Sequence, residues 1–151
     1  METVEEALAG ASDILAEEIS DDAAIRKDLR QLMARRAVLT SRAASPETDS
    51  VYRLYYDFSC PAAQLQGHQI LALNRGEKEG KLKVALTVDD SQALVELNRA
   101  VLHPKNPFCA MLRTTCEDSW KRLLFPSLER ELRSELTDTA NEQAIHTFAL
   151  N

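Results

Sequence analysis

A chain of 151 residues has room for one domain with a sizeable core, and 44% hydrophobic with 28% charged residues is ordinary for a folded globular protein, which excludes disorder beyond the termini. The apolar runs are only a few residues long, far short of a membrane span, and a start rich in Glu2, Glu5, Glu6, Glu17 and Glu18 excludes a secretory signal. A formal charge of −6 repels phosphate on average and weighs against a dedicated nucleic-acid module.

From Val4 to Ile19 the apolar positions Val4, Ala7, Leu8, Ala11, Ile14, Leu15 and Ile19 recur at three- and four-residue steps, which predicts an amphipathic helix with an inward stripe. Ser20-Asp21-Asp22 offers N-cap oxygens to a second helix with Ile25, Leu29, Leu32 and Met33 facing in, so the pair reads as a helical hairpin. Charge changes sign here. Residues 1 to 24 carry acids and no base, whereas 26 to 42 carry Arg26, Lys27, Arg30, Arg35, Arg36 and Arg42 against Asp28 alone. "ASPETDS", 44 to 50, is polar with a proline and is the best loop in the chain.

In "VYRLYYDFS" the aromatics Tyr52, Tyr55, Tyr56 and Phe58 suit either a short helix or a strand. The expectation is a helical turn or extended entry that ends at Cys60-Pro61. Pro61 then opens the next helix, with Ala62, Leu65, Ile70 and Leu73 inward, and Gly76 stops it. "KLKVALTV" places Leu82, Val84, Leu86 and Val88 on one face and Lys81, Lys83 and Thr87 on the other, a half-buried strand. Its partner is either a local hairpin arm or a strand in a missing neighbour.

Asp89-Asp90-Ser91 caps a helix whose stripe is Leu94, Leu97 and Val101, ending before His103-Pro104. A long helical stretch follows through Met111, Leu112, Thr115, Trp120, Leu123 and Leu124. Pro126 implies a kink or fresh start before Leu128, Leu132 and Leu136. Residues 139 to 150 read as helical, with Ala144, Ile145 and Phe148 apolar, and the absence of a cap at Asn151 implies that the native polypeptide continues. The fold class is therefore mainly α: one multi-helical, orthogonal or bundle-like domain over 1–151, with a short strand or hairpin near 81–88.

Little in the chain carries chemistry. No GxSxG, Walker-type loop, GxGxxG or HExxH occurs, and the glycines of "RGEKEG" read as a helix-stop and strand-entry turn. Glu117-Asp118 and Asp89-Asp90 are neighbours in sequence and read as caps and solvated faces. His68, His103 and His146 are scattered, so no metal is expected. Cys60, Cys109 and Cys116 read as reduced thiols of a cytoplasmic protein, in the core or half-buried. The basic run either contacts nucleic-acid phosphates or pairs with the acidic first helix.

Several stretches, in order, resemble the bacterial Tex family of transcription accessory proteins, related to a eukaryotic elongation factor. "EALAGASDILAEEISDDAAIRKDLR" is similar to its helical hairpin, and "YRLYYDFSCP" to its tyrosine-rich segment, with Cys60 where an acid is usual. "HQILALNRGEKEGKL" resembles its "HRALA-RGE-EG-L" signature, with Gln69 in place of an arginine. "CEDSWKRLLFPSLERELRSEL" resembles the segment before its YqgF-like domain. The resemblance implies a piece of a longer protein that continues into YqgF-like, helix-hairpin-helix and OB-fold RNA-binding domains, none of which this chain contains, with Met1 introduced or fortuitous. It implies a non-enzymatic helical scaffold of a nucleic-acid-binding protein in transcription; the alternative is a module that docks onto transcription machinery. No cofactor and no membrane contact are expected, and this piece is expected to be monomeric. RNA or DNA would be held mainly by the absent domains, with Arg26, Arg30, Arg35, Arg36, Arg42 and Arg75 as the candidate contacts here.

Overall fold

The computed structural model describes residues 3–48 and 50–150; Met1, Glu2, Asp49 of the 44–50 loop and Asn151 lie outside the described residues. The elements are α1 (Val4–Asp21), α2 (Ala23–Arg36), β1 (Val38–Ala43), a 3-10 turn (Arg53–Tyr55), β2 (Asp57–Pro61), a second 3-10 turn (Ala62–Gln64), α3 (Gly67–Lys78), β3 (Leu82–Thr87), α4 (Asp90–Val101), α5 (Cys109–Asp118), a π-helical turn (Ser119–Leu124) and α6 (Phe125–Leu150). The chain is mainly α, as its periodicity predicts, with one small antiparallel sheet. Its backbone packs as two compact units, Met1–Leu32 with Asp89–Arg130, and Met33–Val88 with Glu131–Asn151. The cuts fall inside α2 and α6.

The first unit is helical. Thr3 Oγ1 accepts from the Glu6 N–H and the Glu6 carboxylate accepts from the Thr3 N–H, both at 3.1 Å, a capping box that starts α1. Asp22 Oδ1 accepts from the Ile25 N–H at 3.0 Å and starts α2. The stripe expected on α1 packs only toward its C-terminal end, at Leu15 and Ile19. Val4, Leu8 and Ile14 are 75%, 54% and 59% exposed, whereas Ala16, Ile19 and Ser20 are buried. Residues 4–11 are exposed on every side, and in the second half small residues join Ile19 in the contact. Ser12 Oγ meets Thr115 Oγ1 at 2.8 Å, and Ser119 Oγ donates to the Ala16 carbonyl at 2.8 Å, bonds that need α1 rotated toward its serine and alanine side. Trp120, fully buried, donates from Nε1 to Asp90 Oδ1 at 2.8 Å and packs against Phe125 at 5.4 Å between ring centroids. Pro126 does not break the helix. The turn before it widens to π geometry, with the Phe125 N–H bonded to the Trp120 carbonyl. Proline lacks the N–H that would reach Arg122, and the wider turn relieves the clash of its ring with that carbonyl.

The second unit holds the sheet, in the order β2-β1-β3. The partner of "KLKVALTV" is β1, which pairs Leu39 with Leu86, Ser41 with Val84 and Ala43 with Leu82. On its other side β1 pairs Leu39 with Cys60 and Ser41 with Phe58. The aromatic segment therefore divides into a 3-10 turn and a strand. Pro61 closes β2 instead of opening a helix, and α3 begins only at Gly67, because Ala62 bonds back to the Ala37 carbonyl at 2.8 Å.

Gly76 does not stop α3. It is buried within the helix where α3 meets β3: a Cβ there would lie 2.4 Å from Leu82 Cδ1 and 3.2 Å from Tyr52 Cδ1. The stop is Gly80, at φ +74, beyond the C-cap Glu79. The two glycines of "RGEKEG" thus do different work, one for close packing and one for backbone conformation. On α6, Ala140 is buried while Ile145 and Phe148 are 70% and 85% exposed.

Candidate nucleic-acid interface

The six candidate arginines divide between the two units. Arg26 lies in the first and is already engaged. Its Nη1 donates to the Ser20 carbonyl at 2.9 Å and its Nη2 to Ser127 Oγ at 2.6 Å, which ties α2 to the end of α1 and the start of α6. Arg30 lies exposed one turn further along α2 in the same unit.

Arg35, Arg36, Arg42 and Arg75 belong to the second unit. Arg35 and Arg36 occupy the last turn of α2, where a cation complements the carbonyl end of the helix dipole. Both are exposed. Two residues later the chain enters β1, and the alternation that buries Leu39 and Ser41 turns Thr40 and Arg42 to the other face. Arg42 stands opposite Lys83 on β3 and Asp57 on β2, and all three are exposed. Thr40 opposes Ser59 and Ala85, so this sheet face is polar, with two cations and one anion at the end of its central strand. Among the described residues Arg35, Arg36, Arg42 and Arg75 form no ion pair. Lys83 belongs to the same patch. The alternation of β3 points it outward, but only the identity of β1 as a strand brings it beside Arg42.

Arg75 sits elsewhere in that unit, in the last turn of α3, on the rim of an open cleft of about 580 Å³ lined by Val51, Tyr52, Tyr55, Leu71, Ala72 and Glu79. The Tyr52 hydroxyl makes a short hydrogen bond to the Glu79 carboxylate, and that bond, with burial added, holds the phenol above its ordinary pKa. Tyr55 meets Phe58 edge to face, with centroids 5.2 Å apart and an interplanar angle of 77°. Gln69, the position where the resemblance expects an arginine, turns its Oε1 back to the Gln66 N–H at 3.0 Å and caps α3. Electrostatics follow the same division. The second unit contains nine Lys and Arg against nine Asp and Glu, and the first contains nine against fifteen, so the whole charge of −6 falls on the first. Within the second, residues 33–88 carry eight bases against five acids.

Cys116 is fully buried and its thiol is pushed up to about 11, first by burial and then by the adjacent Glu117, which is the environment of an inert core thiol. Asp118 accepts two hydrogen bonds from Arg122, at 3.1 and 3.0 Å, and these hold its carboxyl below the usual range. His68 is exposed in the first turn of α3. Among the described residues no group of three or more His, Cys, Asp or Glu is placed to hold a metal ion, and no helix is long and apolar enough to cross a membrane.

Comparison with known proteins places this architecture. Residues 1–148 match the family described as Tex central region-like. An uncharacterized protein of Bacillus subtilis, YdcI, is 42% identical over 153 residues, covering 99% of this chain and 21% of the relative. Protein tex of Bordetella pertussis is 30% identical, covering 96% of this chain and 20% of the relative. S1 RNA-binding domain-containing protein 1 of Pongo abelii is 29% identical, covering 100% and 17% respectively. The chain thus spans about a fifth of the length of these curated relatives.

Proposed function

The chain belongs to the Tex central region-like family, and from that membership we propose that residues 1–151 act as one non-enzymatic helical scaffold segment of a nucleic-acid-binding protein of transcription, working in the cytoplasm. On this reading the segment holds other domains of the full protein in position and adds weak phosphate contacts of its own. The observation that carries the second part is the exposed series Arg35, Arg36 and Arg42, without ion pairs among the described residues, in a stretch with a surplus of bases. Three or four phosphate contacts correspond to a salt slope of about −2 to −4 and an affinity in the ~10⁻⁴ to 10⁻⁶ M range of non-specific binding.

Fluorescence anisotropy with labelled RNA and DNA at several salt concentrations tests this. Weak, sequence-indifferent binding that falls on changing Arg35, Arg36 and Arg42 together to glutamine supports it. Nanomolar, sequence-selective binding, or indifference to those substitutions, overturns it.

A second reading, docking onto protein components of the transcription machinery, is favoured by α1, where Val4, Leu8 and Ile14 remain exposed and the buried residues Ala16, Ile19 and Ser20 lie in the second half of the helix. Under that reading Leu8→Ser leaves thermal stability unchanged, since the face would be held for a partner. A stability loss as large as that of a core truncation would rule it out.

A further inference from the structure

We propose that the cleft rimmed by Arg75 receives one unstacked nucleotide of a single strand, with its base on Tyr55 and its phosphate on the Arg75 guanidinium. This rests on the nucleic-acid reading above and deepens it, since the exposed arginine series by itself distinguishes neither base from backbone nor single strand from duplex.

Three features of the cleft point to that occupant. The first is a prepared aromatic wall. Tyr55 is half-buried, in T-shaped contact with Phe58, and lines the cleft. A base stacks on such a wall without regard to sequence. The second is a rigid floor. Tyr52 is 6% exposed, so near Gly76 that a Cβ there would lie 3.2 Å from its Cδ1, and tied through its hydroxyl to Glu79, and Leu71 and Ala72 complete an apolar surface. The third is the division of charge on the rim. Leu71, Arg75 and Glu79 follow one another at four-residue steps on one side of α3. Glu79 is engaged by the Tyr52 hydroxyl, and Arg75 forms no ion pair among the described residues, so the cation is the group left to take an anion. The remaining lone pairs of the Glu79 carboxylate accept from a base N–H, which every base presents in some form.

A volume of about 580 Å³ lies inside the ordinary range for small-ligand clefts. One cation beside one carboxylate fits one phosphate of the strand, with the attached ring on the apolar wall. A base paired within a duplex cannot enter, so single strands should bind in preference to duplex of the same length.

The test uses the whole chain at low salt, with labelled ten-nucleotide oligo-U and oligo-dT and a ten-base-pair duplex, read by anisotropy and by amide shifts. Tyr55→Ala should weaken single-strand binding about tenfold or more, the scale of one stacked base. Tyr55→Phe, which keeps the ring, should stay near wild type, and Arg75→Gln should weaken binding while reducing the salt slope by about 1. Because Tyr55→Ala also loosens the wall, the phenylalanine and glutamine variants carry the decision. Equal binding of single strand and duplex, or an Arg75→Gln variant with unchanged slope, overturns the cleft and leaves the exposed arginine series as the interface. Loss of binding in the Arg35, Arg36, Arg42 triple variant with the cleft variants unaffected has the same meaning. No binding of any nucleic acid by wild type overturns both readings. Displacement of the oligonucleotide by an oligo-glutamate peptide at equal concentration would show a general anion site and overturn the base-stacking claim.

Discussion

The two units of this chain solve packing and charge in opposite ways. The first is built from helices that approach through serine, threonine and alanine, with hydroxyls bonded across the contact, and it carries the whole net charge of the protein. The second joins a three-stranded sheet to α3, with charge in balance overall and a surplus of bases between residues 33 and 88. A net charge is therefore a poor guide to where an anion binds. The −6 that argues against phosphate belongs to the unit that lacks Arg35, Arg36, Arg42 and Arg75. Ion release on binding is a local event within a Debye length, about 10 Å at 0.1 M salt, so the local surplus outweighs the average.

The sharpest way to break the comparison is to remove the tryptophan of the first unit. Trp120→Ala deletes a fully buried indole and should cost about 3–5 kcal/mol in urea unfolding. Hydrogen exchange is expected to rise first in α1, α4 and α5. Equal and simultaneous loss of protection in β1 and β3 would show that the division into two units has no thermodynamic meaning.

In the second unit Gly76→Ala tests close packing. The overpacking against Leu82 and Tyr52, about 1–3 kcal/mol, exceeds the roughly 1 kcal/mol of helix propensity gained, so the variant should be less stable. A more stable variant would mean that Leu82 has room to turn away. Gly80→Ala meets open space, and only its backbone angle resists, so the loss should be about 1 kcal/mol.

The smallest expected effect concerns acid. The carboxyl of Asp118 is depressed by its hydrogen bonds from Arg122, so whatever it contributes to stability is present above the ordinary aspartate value near pH 4 and is lost as pH falls through the lower folded-state value. The melting temperature of Asp118→Asn should therefore fall less steeply than that of wild type between pH 5 and pH 3. Parallel curves would show that the pair contributes nothing measurable.

These contrasts also explain what the sequence made legible. Helices with apolar residues at three- and four-residue steps, and the alternating strand β3, stand out because a single period dominates each. β1 did not, because "VLTSRA" places a serine at an inward position. Ser41 is 1% exposed and its Oγ has no hydrogen-bond partner among the described residues, so the apolar alternation that marks a strand is broken where it matters. On α1 the hydrophobic period is real, but only its end at Leu15 and Ile19 is covered, together with Ser12, Ala16 and Ser20, and no local pattern reports that residues 4–11 stay exposed on every side. Both glycines of "RGEKEG" carried a signal. Which of them stopped the helix depended on Leu82, six residues beyond Gly76, and no local pattern reports that. The arginines were visible as charge, but their division into engaged and unpaired required the positions of Ser20, Ser127 and the sheet.

The π turn before Pro126 has a consequence for counting. Leu112, Cys116, Trp120, Leu124 and Leu128 are all buried, each four residues from the next. In an unbroken α-helix a four-residue step advances about 40° around the axis, so four such steps would carry the last of these residues nearly to the opposite side. A π turn encloses one residue more per hydrogen-bonded ring and turns the drift backward over Ser119–Leu124. The wide turn acts as a phase correction that keeps a period-four row on one side of a period-3.6 helix. Deleting one residue within it would leave the helix formed but turn every side chain beyond it by about 100° relative to those before.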